Sequence, residues 1–259
     1  MGSLKLEKKD AIAWITIDNQ ARRNAMSLAM WRELHRLVEQ LDADPQIRVL
    51  VLKGAGEQAF VSGADISEFS QRADSEAETR AFGEAVEAAE NALCQCSKPV
   101  IAMMQGICMG GGIGIAVSCD LRYCSADTRF RMPAARLGLG YALDSMRRIV
   151  NVLGNARTAE LFYTARVFDG VEAARIGMVH QVVDAGELAS TVQQVAESMA
   201  ANAPMSLKAA KLAIGALANH DEAAYSQVHQ AVAACYDSED YTEGRTAFME
   251  KRQAQFKGR

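Results

Sequence analysis

Apolar and polar positions change their period several times along this 259-residue chain. Residues 11–18 (AIAWITID) alternate and are rich in branched side chains, the pattern of a strand with one buried face. From Ser27 the period lengthens. Met30, Leu34, Leu37, Val38 and Leu41 recur at helical spacing behind a capping residue, and Pro45 follows the end of the helix. Residues 47–53 (IRVLVLK) predict a second strand stopped by Gly54 and Gly56, and 59–66 (AFVSGADI) a strand running into a glycine turn. Residues 67–80 are polar and acidic, a mobile loop or surface helix, and a helix follows over 81–96. Pro99 opens an apolar strand (PVIAMMQG), Gly110, Gly111 and Gly112 lead into a helix of small residues (IGIAVSCD), and strands follow at 121–126 and around Phe130.

From Asp144 onward the pattern is almost wholly helical, with segments near 144–153, 155–164, 171–176, 187–202, 205–218, 221–236 and 241–254 and one short strand at 179–183. The recurring strand–strand–helix order of the first half predicts an α/β fold built from a repeated structural unit. The helical remainder places a domain change near residue 195, dividing the chain into 1–195 and 196–259.

Composition narrows the function. Hydrophobic residues make up 49% and charged residues 23%, which excludes a disordered chain. The net charge of −4 argues against sequence-independent nucleic-acid binding. Apolar stretches are broken well before the roughly 20 residues a membrane span needs, and residues 1–10 carry no apolar signal core. Six cysteines without a CxxC pair or a nearby histidine set read as reduced thiols of a cytoplasmic protein, and no metal site is expected.

Two glycine sites stand out. Gly63-Ala64-Asp65 follows an apolar strand, and Gly110-Gly111-Gly112 lies between a strand and a helix. A helix N-terminus leaves N–H groups unpaired and carries partial positive charge, and glycine lets a ligand approach them. Two such groups from different loops can hold one developing oxyanion. Each site alone is also explained by a tight turn.

In company with other segments these glycines acquire a family likeness. "RRNAMS" (22–27), "AFVSGADI" (59–66), "KPVIAMMQGICMGGGIGIAVSCDLRYCSADTRF" (98–130), "LGLG" (137–140), "YTARVFDGVEAARIGMVHQVV" (163–183) and "YDSEDYTEGRTAFMEKRQAQF" (236–256) are long, ordered and spread along the chain. On these the sequence resembles the enoyl-CoA hydratase/isomerase (crotonase) superfamily from near residue 11 to its end. The resemblance implies a spiral of strand–strand–helix turns with a C-terminal helical trimerisation region, acyl-CoA thioester substrates, and an oxyanion hole from the backbone N–H groups of Ala64 and Gly111. It implies coenzyme A contacts from Arg23, Asn24, Ala25 and Met26, from Ser62, Ala64, Asp65 and Ile66, from Gly110, Gly111 and Ala134, and from Phe248 and Lys251, the last two reaching a neighbouring subunit. Coenzyme A is part of the substrate, and no separate cofactor is implied. Its phosphates call for cations, which Arg22, Arg23, Lys251 and Arg252 can supply; a solvated helix face is the plainer account of the same charges.

The departures from the family pattern bear on the reaction. The family's hydratases use two glutamates as acid and base around a water. This chain has Gly114 and Ala134 at those places. A pocket without those charges would accept a carboxylate on the substrate and favour loss of carbon dioxide. Tyr141, just after "LGLG", and the C-terminal segment resemble the methylmalonyl-CoA decarboxylase branch, in which a tyrosine helps to orient that carboxylate; Ala64 departs from that branch, which can carry histidine there. Decarboxylation of a malonyl-type thioester is therefore the favoured reaction. Hydration or isomerisation with a relocated acid/base such as Asp144 is one alternative, although Asp144 at a helix start also reads as an N-cap. A non-catalytic acyl-CoA-binding homologue is another. Arg136 and Arg147 are further candidates for an anionic acyl group, Cys108 reads as a buried inert thiol, and none of His35, His180, His220 and His229 falls in a family catalytic position. The helical tail predicts a homotrimer or a dimer of trimers.

Overall fold

The computed structural model describes residues 2–65 and 75–259. Its described strands form two sheets. In the larger, β1 (Ser3–Lys9), β2 (Ile12–Asp18), β3 (Val49–Gly54), β5 (Val100–Met104), β7 (Leu121–Ser125) and β10 (Gln181–Val183) lie side by side in that order. Only the β1–β2 pair is antiparallel. The smaller sheet orders β4 (Ala59–Val61), β6 (Ile107–Met109), β8 (Arg129–Arg131) and β9 (Val167–Asp169), with β9 antiparallel. The spiral follows from this order. β3, β5 and β7 are neighbours in one sheet, and β4, β6 and β8, each next in the chain, are neighbours in the other. Helices return the chain between turns: α1 (Leu28–Ala43), α2 (Glu76–Gln95), α3 (Gly111–Ser118) and α4 (Leu143–Thr164). After β9 come α5 (Gly170–Arg175), α6 (Leu188–Ala200), α7 (Pro204–Ala218), α8 (Tyr225–Tyr236) and α9 (Glu239–Glu250).

Local chemistry sets the element ends. The Ser27 side chain accepts from the Met30 N–H at 3.3 Å and starts α1 as its spacing predicts. Met30, Trp31, Leu34, Leu37, Val38 and Leu41 are its buried stripe. Fully burying one of these, such as Leu34, stabilises by about 1.5–3 kcal/mol over leaving it in water. Along β3 the side chains alternate between two cores: Leu50 and Leu52 enter the main one, while Val49 and Val51 face a second, formed with Ile12, Trp14, Ile101 and α6 residues Leu188, Val192 and Ala196. The boundary expected at 195 therefore falls inside α6, a helix that belongs to the core packing.

Several elements differ from the sequence reading. Residues 3–9 are a strand, because they pair along the free edge of β2 although few of their side chains are apolar. The helices expected near 144–153 and 155–164 are both present: α4 is continuous in its hydrogen bonding, but Gly154 (φ 70°, ψ 166°) is non-helical and divides it into those two pieces. Residues 167–169 form β9, too short for periodicity to reveal. No helix among the described residues is long and apolar enough to cross a membrane.

Candidate active site

The two glycine loops meet. Met26 and Ala64 form a parallel β-bridge: the Met26 N–H donates to Gly63 O and the Asp65 N–H donates to Met26 O, both at 2.9 Å. In that geometry Met26 uses the peptide groups on either side of Ala64, so the Ala64 N–H itself faces away from Met26. Gly110 precedes α3 with φ 51° and ψ −114°, a conformation that excludes most side chains, and its own N–H donates to Arg131 O at 3.1 Å. Gly111 is the first residue of α3, so its N–H has no acceptor within the helix. The loops touch directly. A methyl group built on Gly110 would lie 4.0 Å from the Gly63 Cα and 3.9 Å from Pro133 Cδ, and one on Gly63 would lie 3.5 Å from Met109 O. Gly63, Gly110 and the Pro133–Ala134 turn thus surround one place, with Ala64 and Gly111 each one residue on. Beneath it, Trp31 packs its ring against Gly111, and Cζ2 would stand 3.0 Å from a methyl group there.

The expected coenzyme A segment is held by its own side chains. Asn24, φ 57° and 1% exposed, donates from Nδ2 to Ala55 O (3.0 Å) and Ala59 O (2.7 Å), and its Oδ1 accepts from the Asn19 N–H (3.0 Å). Ala25 and Met26 are buried in the core. What residues 24–26 offer a ligand is therefore main chain. The Ser62 hydroxyl donates to Arg22 O at 3.1 Å. Arg22 is corrected as a free cation for phosphate: its Nη1 donates to both Asp65 oxygens at 2.6 Å, which also occupies the Asp65 carboxylate. Arg252 is corrected likewise, because it pairs with Glu243 (2.6 Å) and Glu250 (2.7 Å). Arg23 is exposed with φ 51°. Lys251, φ 57°, ends α9, and Phe248 is 83% exposed on the same helix. Ile66 lies outside the described residues.

The reaction-directing positions show the largest departure. Ala134 is buried in a 3-10 turn, with no charged atom of its own to offer. At Gly114, one turn along α3 from Gly111, the space is already taken: a methyl group built there would stand 2.1 Å from Glu90 Oε1. Glu90, on α2, is 2% exposed. Its Oε2 accepts from Arg148 Nη1 (2.7 Å) and from the Ser145 hydroxyl (3.0 Å), and Arg148 Nη2 donates to Asn91 Oδ1. Oε1 accepts no hydrogen bond among the described residues. Burial raises the Glu90 pKa above the ordinary carboxylate range, opposed by Arg148 and the Ser145 hydroxyl. A carboxyl group therefore stands against Gly114, although neither position 114 nor position 134 carries one. The gap left by the small residue is filled from a neighbouring helix.

Tyr141 packs edge-on against Phe162 at 5.0 Å, and burial, reinforced by Glu90, pushes its phenol pKa up. It is a neutral hydroxyl beside the Glu90 cluster. Asp144 is not the N-cap, which is Ala142; it stands in the first turn of α4 and pairs with Arg147 at 3.0 Å on the surface. That pairing occupies both Asp144 and Arg147, while Arg136 is exposed. Cys108 is fully buried, and burial holds its thiol far above the ordinary range, as an inert core group. Among the described residues no group of three His, Cys, Asp or Glu side chains is arranged to hold a metal.

Comparison with known proteins agrees with this architecture. The family model for enoyl-CoA hydratase/isomerase matches residues 7–259. The chain is 34% identical to the short-chain-enoyl-CoA hydratase of Clostridium acetobutylicum, across 100% of this chain and 99% of that protein. It is 32% identical to a peroxisomal Delta(3,5)-Delta(2,4)-dienoyl-CoA isomerase of Arabidopsis thaliana, across 93% and 91%. The crystal structure of an enoyl-CoA hydratase/carnithine racemase from Magnetospirillum magneticum superposes with a TM-score of 0.92 at 32% identity, covering 99% of this chain and 96% of that one. The chain belongs to the enoyl-CoA hydratase/isomerase family and has the crotonase fold.

Proposed function

We propose that this protein binds an acyl-CoA thioester with its carbonyl oxygen between the N–H groups of Ala64 and Gly111, and accelerates a reaction that passes through the thioester enolate. The observation that carries the reading is the contact between the Gly63 and Gly110 loops, each with a residue after it whose N–H is turned out of the local hydrogen bonding. Such donors act on charge that develops in the transition state, and one is worth on the order of 10²–10³ in rate. Arg23 is the exposed cation for the phosphates on this chain, with Phe248 and Lys251 serving a neighbouring subunit. Exposed Ile214, Leu217, Val232, Tyr236, Phe248 and Met249 on α7–α9 are the apolar surface expected of a homotrimer or dimer of trimers. Light scattering would then give three or six times the chain mass of 28.0 kDa, and a monomer would overturn the assembly.

Three reactions share this enolate: loss of carbon dioxide, addition of water, and movement of a double bond. The missing glutamates favoured the first. The Glu90 carboxylate against Gly114 now favours a neutral enoyl chain, because two carboxylates at 4 Å repel by about 4 kcal/mol at an effective dielectric of 20. The names of the similar proteins, hydratases and isomerases, support the same reading. Decarboxylation of methylmalonyl-CoA is the competing outcome, measured as carbon dioxide release beside turnover of enoyl-CoA.

The oxyanion assignment is tested at Gly111. Proline is tolerated at the first helical position but has no N–H. Gly111→Ala adds the same Cβ against Trp31 and keeps the donor. Gly111→Pro is expected to fall about 10²–10³-fold below Gly111→Ala in turnover. Equal rates for the two variants would remove Gly111 from the mechanism.

A further inference from the structure

We infer that Glu90 is the proton-transfer group of this active site, and that the reaction it serves is the shift of a double bond in a 3-enoyl-CoA thioester. This rests on the acyl-CoA reading above and adds the group that moves the proton and the substrate class.

The geometry is specific. Oε2 is fixed by Arg148 and Ser145, both from α4, which leaves Oε1 as the oxygen directed at Gly114. Gly114 lies three residues along α3 from Gly111, a rise of roughly 4.5 Å. A thioester oxygen on the Gly111 N–H therefore brings the carbons next to its carbonyl toward the part of α3 where Oε1 waits. Any side chain at 114 would collide with Oε1, so the glycine and the buried glutamate are two halves of one arrangement. Burial costs a carboxylate several kcal/mol before pairing, and the fold retains one here in place of an apolar residue. The resulting upward pressure on its pKa suits a group that must both take and return a proton.

The step balances without any further reactant. Oε1 removes a proton from C2 of the 3-enoyl thioester. The electron pair of that C–H bond spreads over C2, C3, C4 and the carbonyl oxygen, where the Ala64 and Gly111 N–H groups hold the charge. The same carboxyl then gives the proton to C4, and the double bond stands between C2 and C3, conjugated with the carbonyl. A single carboxylate suffices because the proton stays on one substrate. Hydration asks for a second positioned group, and Ala134 supplies none.

Three measurements test this on the full chain. Purified protein is given 3-hexenoyl-CoA and followed by absorbance of the conjugated product; butyryl-CoA in D2O is followed by mass spectrometry for deuterium at C2; and butyryl-CoA binding is followed by calorimetry. The native chain is expected to convert 3-hexenoyl-CoA and to exchange the butyryl C2 protons. Glu90→Gln, which keeps the shape, is expected to lose at least 100-fold in both while its butyryl-CoA Kd stays within threefold. Glu90→Ala with Gly114→Glu returns a carboxylate to the same gap from the other side and is expected to regain at least a tenth of the native rate. Glu90→Gln within threefold of the native rates would overturn the assignment, as would a folded double variant no faster than Glu90→Ala. Fast hydration of crotonyl-CoA with no movement of the 3-hexenoyl double bond would overturn the reaction. A native chain that binds butyryl-CoA but does not exchange it refutes the role of Glu90 alone, whereas one that does not bind it refutes the acyl-CoA reading as well.

Discussion

Two glutamates in this molecule meet arginines at the same separation and respond in opposite directions. Glu172, half-buried at the edge of the molecule, lies 2.7 Å from Arg175 and 2.8 Å from Arg166. Hydrogen bonds from those two arginines, Arg175 foremost, hold its pKa down to about 2. Glu90 lies 2.7 Å from Arg148, yet its pKa is raised, because loss of water outweighs the arginine. An arginine at the same distance thus accompanies opposite shifts, and although Glu172 has a second arginine, the sign at Glu90 is set by burial. At the surface, water competes with each ion, and such a pair is a common outcome of a charged exterior. In the interior the pair must overcome desolvation, and its retention calls for a reason beyond stability.

Removing one partner of the interior pair has the largest expected effect. Arg148→Met strands Glu90 in the core and is expected to cost about 3–5 kcal/mol in chemical denaturation at pH 7.5. Glu90 can escape by taking up a proton, so the deficit is expected to shrink toward pH 5; a loss well under 1 kcal/mol at pH 7.5 would place Glu90 in effective contact with water. Removing both partners sharpens the contrast: Glu90→Leu with Arg148→Met is expected to be as stable as the native chain or more stable, by about 1–4 kcal/mol, with enoyl-CoA turnover gone. A stable and fully active double variant would make the pair decorative.

The pH dependence separates the two regions next. With its pKa raised on folding, Glu90 contributes fully below the ordinary value of 4.5, and that contribution is lost as pH rises through the folded value. The groups facing it are Arg148 and Ser145 of α4, Tyr141, and Glu87 of its own helix. Native Tm minus Glu90→Gln Tm is therefore expected to fall from pH 4.5 to pH 8, and a rise would contradict the buried assignment. Glu172 runs the other way and has the smallest effect. Its contribution is present above 4.5 and lost as pH falls toward about 2. The Tm difference between the native chain and Glu172→Gln is expected to be slight at pH 7, to vanish in acid, and to weaken in high salt.

Much of the frame that positions the site was legible in the residues. Ser27 capped its helix, the small-residue run after Gly110 became α3, and the strand–strand–helix order became two neighbouring sheets. Strand β1 was hidden because its alternation is short: only Leu4 and Leu6 turn toward the core, and Glu7, Lys8 and Lys9 after them are exposed and held by backbone pairing to β2. Glu90 was missed for a different reason. The family's glutamates map to positions 114 and 134 along the chain, whereas this carboxyl group arrives through space from α2. A signal was present: Val86, Ala89, Glu90 and Leu93 fall at i, i+3, i+4 and i+7, so a charged residue stands in the inward stripe of an amphipathic helix. Its partners on α4, Ser145 and Arg148, repeat the same three-residue step, but only coordinates join the two helices.

Trp31 gives the molecule an optical gauge of its own. The chain has 2 tryptophans, and Trp14 lies in the second core, against α6. Trp31 sits directly under Gly111, buried, with no acceptor for its Nε1 among the described residues. An indole's excited state senses local electric fields, and an oxygen gathering negative charge above Gly111 is such a field. With Trp14 replaced by phenylalanine, the colour and intensity of a single ring would follow occupancy of the site beside Gly111 as it happens, without a labelled thioester or a coupled assay.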